Sequence, residues 1–204
     1  MRPILISYTP LDDSTTYFAT GLTGASGVVT PKTVTDSLAH NVTLTSAANI
    51  STTTFTVTGL DADEQAQTEA ITGPNINTVA GAKFFSRVTA VTWTPTIGAS
   101  TVDVGIKDTS VGQTVPLNYL AVDFNVTMMV GITGTINYDV EYTEQAIYDS
   151  QPSTLVWFNH ATIVAKTANF DGVTTSPVRA VRLAINSLTA GATASLTILQ
   201  GMGS

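Results

Sequence analysis

Short segments in which polar and apolar residues alternate recur along the chain and constrain its fold more than any other feature. In the segment 54–58 (TFTVT), Phe55 and Val57 point to one side of an extended strand and three threonines to the other. The same alternation recurs at 90–93, 102–106, 136–142 and 195–198. Turn-forming residues separate these segments, among them Gly59, Gly98 and Gly191. This spacing predicts an all-β protein, an antiparallel β-sandwich of jelly-roll-like arrangement.

A weak internal repeat divides the predicted strands into two groups. The segments 88–93 and 101–104, joined by a turn at Gly98, are matched by 178–183 and 195–198, joined by a turn at Gly191. We interpret this as two similar β-sandwich units over residues 41–112 and 113–204, each ending in a hairpin. The alternative is that hairpins rich in Thr and Val resemble each other through composition alone.

The first 40 residues lack sustained alternation and contain Pro3, Pro10 and Pro31. We predict an extended N-terminal arm over residues 1–40, which lies along a neighbouring subunit and becomes ordered on binding. No apolar run at the N-terminus is long enough for a signal-peptide core, and no window has the length of a membrane helix. We therefore expect a soluble protein that is made in a cytoplasm.

Charge is scarce in this chain, and that scarcity excludes several classes of protein. Charged residues make up 11% of the sequence and the net charge is −7, whereas an ordinary soluble domain has about 25% charged residues. An acidic chain offers no cationic face to displace phosphate counterions, so we expect no direct nucleic-acid partner. The 37 threonines and 43% hydrophobic residues argue against disorder. Low charge predicts that neighbouring subunits cover much of the surface.

Titratable residues do not form a recognisable catalytic or metal-binding motif in the sequence. His40 and His160 each stand beside an asparagine, without a second ligand at metal spacing, and we expect satisfied surface or interface histidines. Asp61, Asp63 and Glu64 could hold calcium, but the EF-hand spacing is missing and a solvated acidic loop is the better interpretation. We predict no catalytic residue, no cofactor, no metal and no enzymatic activity.

The few aromatic residues supply the candidate binding residues. Trp157 and Phe158 follow a turn that contains proline, and an exposed pair of this kind can form a sugar platform or a subunit contact. An anchor in the core is the alternative. With Phe84, Phe85 and Tyr142, these two residues form the predicted interface.

Two stretches of the chain carry a family resemblance. The first comprises 54–63 (TFTVTGLDAD), 67–75 (QTEAITGPN) and 82–91 (AKFFSRVTAV). The second comprises 136–143 (INYDVEYT), 157–160 (WFNH), 177–183 (PVRAVRL) and 196–201 (LTILQG). Together, within residues 40–204, they resemble small β-rich virion structural proteins of tailed bacteriophages, of the head decoration (cement) or neck accessory type. Glu64 and Gln65 stand where such sequences more often have a glycine turn, so this loop is expected to differ in shape.

The resemblance implies a mechanical role without catalytic residues. It implies a virion protein, assembled in the host bacterial cytoplasm, which cements the capsid exterior by bridging neighbouring capsid subunits. The implied partners are the major capsid protein or neck proteins, and further copies of the chain in a homo-oligomer, such as a trimer. Neither nucleic acid nor membrane is expected as a partner. The alternatives are a neck, collar or tail accessory ring, and a host-surface glycan-binding module that uses Trp157, Phe158 and Tyr142.

Overall fold

The computed structural model describes residues 3–25, 29–121, 124–147 and 155–201, and these residues form β-strands without any helix. The strands are β1 (Ile4–Tyr8), β2 (Ser14–Leu22), β3 (Lys32–Thr33), β4 (Ala39–Thr45), β5 (Thr54–Leu60), β6 (Ala66–Thr72), β7 (Thr78–Phe85), β8 (Arg87–Thr94), β9 (Val102–Val111), β10 (Val115–Pro116), β11 (Val126–Thr133), β12 (Ile136–Thr143), β13 (Phe158–Asn159), β14 (Phe170–Thr174), β15 (Ala180–Leu188) and β16 (Thr193–Gln200). The predicted all-β class and antiparallel sandwich arrangement are confirmed. A membrane-spanning helix is absent from the described residues.

The chain divides into two compact units whose boundaries differ from the predicted ones. One unit, the inserted unit, is Asp13–Ser110. The other, the split unit, joins Met1–Asp12 to Val111–Ser204. The junction after residue 110 lies close to the predicted junction after residue 112. The larger difference is that the N-terminal residues belong with the C-terminal half, because β1 pairs with β16.

Both units follow the same strand order. The inserted unit contains the paired strands β2-β9-β4-β7 and β3-β8-β5-β6, and the split unit contains β1-β16-β11-β14 and β10-β15-β12-β13. When the eight strands of either unit are numbered along the chain, the orders are 1-8-3-6 and 2-7-4-5. Strands 1 and 8, 2 and 7, 3 and 6, and 4 and 5 are neighbours. This is the pairing of one long hairpin that has been wound into two sheets.

The structure differs from the predicted N-terminal arm. Ile4 lies opposite Ile198 and Tyr8 opposite Ala194 in the β1–β16 ladder, while β2 pairs with β9 and β3 with β8. The described part of residues 1–40 therefore contributes strands to the sheets of its own chain, and the prediction of a free arm is wrong for these strands. Register shifts interrupt the β2–β9 ladder, and such irregular pairing hides a strand from a search for strict alternation.

The repeated segments are strands, but they do not form the terminal hairpins that we predicted. β8 and β9 belong to different four-strand sets of the inserted unit, and β15 and β16 to different sets of the split unit. Each connection therefore crosses from one sheet of its unit to the other. The glycines predicted to turn the chain at these points, Gly98 and Gly191, have positive φ angles of 60° and 80°.

Inward-facing residues of the alternating strands form the core of each unit. In the inserted unit the buried side chains include Leu44, Phe55, Val57, Phe85 and Val91, and in the split unit Met128, Tyr138, Leu183, Ile185 and Leu196. At one side of the inserted unit, the Glu69 carboxylate on β6 accepts the N–H groups of Ala82 at 2.5 Å and Lys83 at 3.2 Å on β7. This side chain therefore ties together edge strands of the unit's two sheets.

Candidate interaction surfaces

Tyr142 and Phe158, two of the five predicted interface residues, meet at an edge of the split unit. They lie opposite each other in the β12–β13 ladder, and their ring centroids are 5.8 Å apart. Tyr142 is half-buried, whereas Phe158 is 50% exposed. This edge therefore offers a small open aromatic surface.

Trp157 is half-buried, and its indole faces the Arg182 guanidinium, whose central carbon lies 4.2 Å from the ring centroid. Arg182 also donates from Nε to the Glu141 Oε2 atom at 2.6 Å, so the carboxylate orients the cation over the ring. Within the described residues, the buried indole N–H has no hydrogen-bond partner. Because Arg182 covers one face of the indole, that face is closed to a stacking ligand.

The remaining two predicted interface residues, Phe84 and Phe85, lie on β7 of the inserted unit. Phe85 is 0% exposed and lies opposite His40. A methyl group added at Gly59 would lie 2.9 Å from its ring. Phe85 is thus a core residue, and its assignment to an interface is wrong. Phe84, which has the opposite parity, is half-buried, and its carbonyl accepts the Gln67 side-chain amide at 2.5 Å.

His40 is buried rather than at the surface. Its Nδ1 atom lies 2.6 Å from the Lys107 carbonyl oxygen and its Nε2 atom 2.8 Å from the Asp36 Oδ2 atom. Both ring nitrogens thus lie within hydrogen-bond distance of oxygen atoms. The side chains of His40 and Asp36 are 0% and 1% exposed, so this pair is a structural element inside the inserted unit.

His160 is also buried, in the split unit. Burial lowers the pKa of His160 below its usual 6.5, while a hydrogen bond with the backbone of Val173 acts in the opposite direction. Its Nδ1 atom accepts the Thr162 N–H at 3.3 Å. His160 is therefore a buried residue held by a hydrogen bond, and the surface position that we expected for both histidines is wrong.

The acidic stretch after β5 is an ordered turn. The Asp61 Oδ1 atom accepts the N–H groups of Asp63 at 2.9 Å and Gln65 at 2.8 Å, as in an Asx turn. Asp61 is buried, and Glu64 has a φ of 62°. The described ranges contain no group of three or more His, Asp or Glu side chains that could hold a metal ion.

Large exposed apolar side chains concentrate on one face of the sheet β1-β16-β11-β14. One row across this sheet runs Leu5, Thr197, Met129 and Asp171, and the next runs Leu199, Thr127 and Val173. Leu5 is 65% exposed, Met129 51%, Val173 49% and Leu199 39%. This surface was not predicted from the sequence. The sequence feature that could have indicated it is a pair of consecutive apolar runs, ILI at 4–6 and MMV at 128–130. In such a run, apolar residues occupy both faces of a strand.

A hollow of about 530 Å³ adjoins the apolar rows on the same sheet. Its lining includes Ser7, Thr9, Gly131, Thr133, Thr193 and Ser195. Ser7, Ser195 and Gly131 form the row next to that of Leu5 and Met129. The lack of a side chain at Gly131 leaves the middle of this row low. We call the apolar rows and the hollow together the split-unit face.

Comparisons with known proteins identify no family for this chain. The chain matches no family model and no curated protein. Among solved structures it is similar to the VP2 subviral particle of infectious bursal disease virus. That similarity covers 100% of this chain and 73% of the VP2 chain, at 14% identity and a TM-score of 0.22. A TM-score this low supports no argument about function.

Proposed function

We propose that this chain is a structural protein of a tailed-bacteriophage virion, which decorates the capsid exterior and cements neighbouring capsid subunits. The strand orders 1-8-3-6 and 2-7-4-5 lead us to infer that each unit is a jelly roll. Jelly rolls form viral capsid domains, lectins and cupins, so this fold is compatible with the proposed role without requiring it.

The split-unit face is the observation that carries the proposal. It combines four exposed apolar side chains with neighbouring hydroxyl groups, and Asp171 is its one charged residue among the described positions of the two apolar rows. Exposed apolar side chains that are grouped on one face and bordered by polar residues can mark a protein interaction site. Such a face suits a protein that works while covered by neighbours: the major capsid protein or neck proteins, and copies of itself.

The same proposal includes a location in the virion, after assembly in the host bacterial cytoplasm, and no contact with nucleic acid or membrane. It is also a proposal for a protein without enzymatic activity. His40 and His160 support it, because both imidazoles are buried and held by hydrogen bonds. In this role the protein stabilises the capsid by burying surface area against its neighbours and catalyses no reaction. Many modest interfaces repeated around a shell act together.

Binding to purified expanded capsids tests the proposal. We expect the wild-type chain to cosediment with capsids in hundreds of copies per particle and to raise the temperature at which they rupture. Saturation at a dozen copies or fewer would instead support the neck or collar ring. A chain that neither binds capsids nor enters virions would refute both placements.

The open ring pair of Phe158 and Tyr142 favours a second candidate, a host-surface glycan-binding module. In this case a glycan array would give a specific signal, and Phe158→Ala would remove it. A silent array with correctly folded protein excludes this candidate.

A further inference from the structure

We propose that the split-unit face pairs with the same face of a second copy of this chain, around a two-fold axis. This inference rests on the proposed assembly role and names the surface through which the copies meet. It concerns one sheet of the split unit, β1-β16-β11-β14.

The relief of the face supplies the first argument. The protruding row of Leu5 and Met129 lies directly beside the hollow row of Ser7, Ser195 and Gly131. A two-fold axis between adjacent rows exchanges them, so that the protruding side chains of each copy enter the hollow of the other. An isologous interface requires this self-complementarity, because one patch must serve as both partners.

The charge of the face supplies the second argument. Asp171 lies on β14, an edge strand, where its carboxylate remains hydrated when the centre of the sheet is covered. The central strands β16 and β11 present Thr197, Met129 and neighbouring hydroxyl-bearing residues to this face. A nearly neutral surface gives no preference for a strongly acidic or basic partner, but it fits a second nearly neutral surface.

A comparison of equivalent strands supplies the third argument. β4 and β11 are both the third strand of their units, and each lies inside its four-strand set. β4 is buried at six of its seven residues, on both faces, whereas β11 exposes Met129 and leaves Thr127 and Gly131 half-exposed. The third strand is therefore covered on both faces in the inserted unit, whereas in the split unit one of its faces is exposed.

The size of the face sets the expected strength of the pair. Four strands at about 4.8 Å spacing and four rows of side chains give roughly 500 Å² per copy. The pair therefore buries about 1,000 Å² in total, below the usual 1,200–2,000 Å² of a stable complex. We expect a dimer that dissociates in the micromolar range or above, and that forms readily where a capsid lattice holds copies close together.

Analytical ultracentrifugation of the full chain tests the pairing. Between about 1 and 500 μM, wild type should pass from monomer to dimer. Met129→Glu places a charge at the centre of the face and should weaken the dimer at least tenfold. The control Val164→Glu changes an exposed valine of the same unit outside this sheet, and it should associate like wild type. Circular dichroism verifies that all three proteins fold.

A crosslinking experiment locates the axis. The chain contains no cysteine, so Thr197→Cys introduces a single thiol on β16, next to the proposed axis. A bifunctional maleimide that spans about 10 Å, the spacing of sheets packed face to face, should link two copies of Thr197→Cys and give much less dimer from Val164→Cys. Equal yields from the two variants would overturn the proposed surface.

The remaining outcomes separate this proposal from the proposed function. A wild-type monomer at all concentrations, a trimer, or an unchanged dimer of Met129→Glu refutes the pairing. If one of these results is obtained and the wild-type chain still decorates capsids, the pairing is refuted and the proposed function is supported. If Met129→Glu becomes monomeric and wild type does not bind capsids, the pairing stands and the capsid role falls.

Discussion

Tyr138 buries a phenol in the core of the split unit, where it is 0% exposed. Its hydroxyl donates a hydrogen bond to the Ala168 carbonyl at 2.8 Å. Burial raises the pKa of Tyr138 from 10.0 to about 12, because the core solvates a phenolate poorly. Tyr138→Phe removes the hydroxyl while keeping the ring, so it reports on the hydrogen bond and on the titration together.

Loss of the hydrogen bond and loss of the titration change the free energy of unfolding in opposite directions. At about pH 8 the phenol is neutral in both states, and we expect the Phe variant to be less stable by about 1 kcal/mol through the lost hydrogen bond. Above pH 10 the unfolded chain loses the Tyr138 proton first, so the folded state binds more protons and wild-type stability falls as the pH rises. By about pH 11.5 this loss reaches roughly 2 kcal/mol. The two stability curves should therefore cross near roughly pH 10.7, above which the Phe variant is more stable.

Urea unfolding followed by far-UV circular dichroism, at intervals from about pH 8 to 11.5, measures both free energies of unfolding. The difference between the two proteins cancels the charge repulsion that they share at high pH. Tyr119→Phe, which removes a half-buried phenol elsewhere in the unit, controls for the loss of one tyrosine. If wild type and Tyr138→Phe give parallel curves across this range, the argument from the buried phenol is wrong.

Three further substitutions test the interior and one strained loop. Phe85→Ala should lower the free energy of unfolding by about 3–5 kcal/mol in a urea titration, because Phe85 is fully buried; a loss below 1 kcal/mol would contradict its core position. Asp36→Ala should lower the free energy of unfolding by about 1–3 kcal/mol in the same measurement, since it leaves the buried His40 Nε2 atom without its hydrogen-bond partner; Asp171→Ala, at an exposed carboxylate, serves as the comparison. Ile76 is a β-branched residue with a φ of 56° and 67% exposure, so Ile76→Asn should raise stability by about 0.5–1 kcal/mol, and a lower melting temperature would refute the strain.

The sequence indicates that certain residue types matter at certain positions, but it does not show which contacts require them. Gly59 was predicted to turn the chain, but it lies inside β5 beside a register shift in the β5–β8 ladder. A methyl group there would lie 2.0 Å from the Arg87 carbonyl oxygen. The requirement for glycine thus comes from the close approach of another strand, which no local pattern contains. In the same way, Phe84 and Phe85 are adjacent in sequence, and only the register of β7 decides which of them enters the core.

The split-unit face shows why the candidate surface was harder to predict than the fold. Alternation reveals which side of a strand is apolar, and so it predicts sheets with one buried side. In ILI and MMV both sides are apolar, and the sequence does not say which side is covered. The answer depends on the neighbours that each strand acquires in the sheet.

The sequence by itself determined the all-β class and the low surface charge, because alternation and composition are properties of each segment. It also located the turns at Gly98 and Gly191, where glycine permits a positive φ. Only the tertiary structure decided that residues 4–8 complete a sheet with residues 194–198, and that a whole unit lies between them in the chain. Pairing over such a distance is set by the packing of complete sheets. For that reason the exposed face of this sheet, and the proposed contact between copies, became visible only in the folded chain.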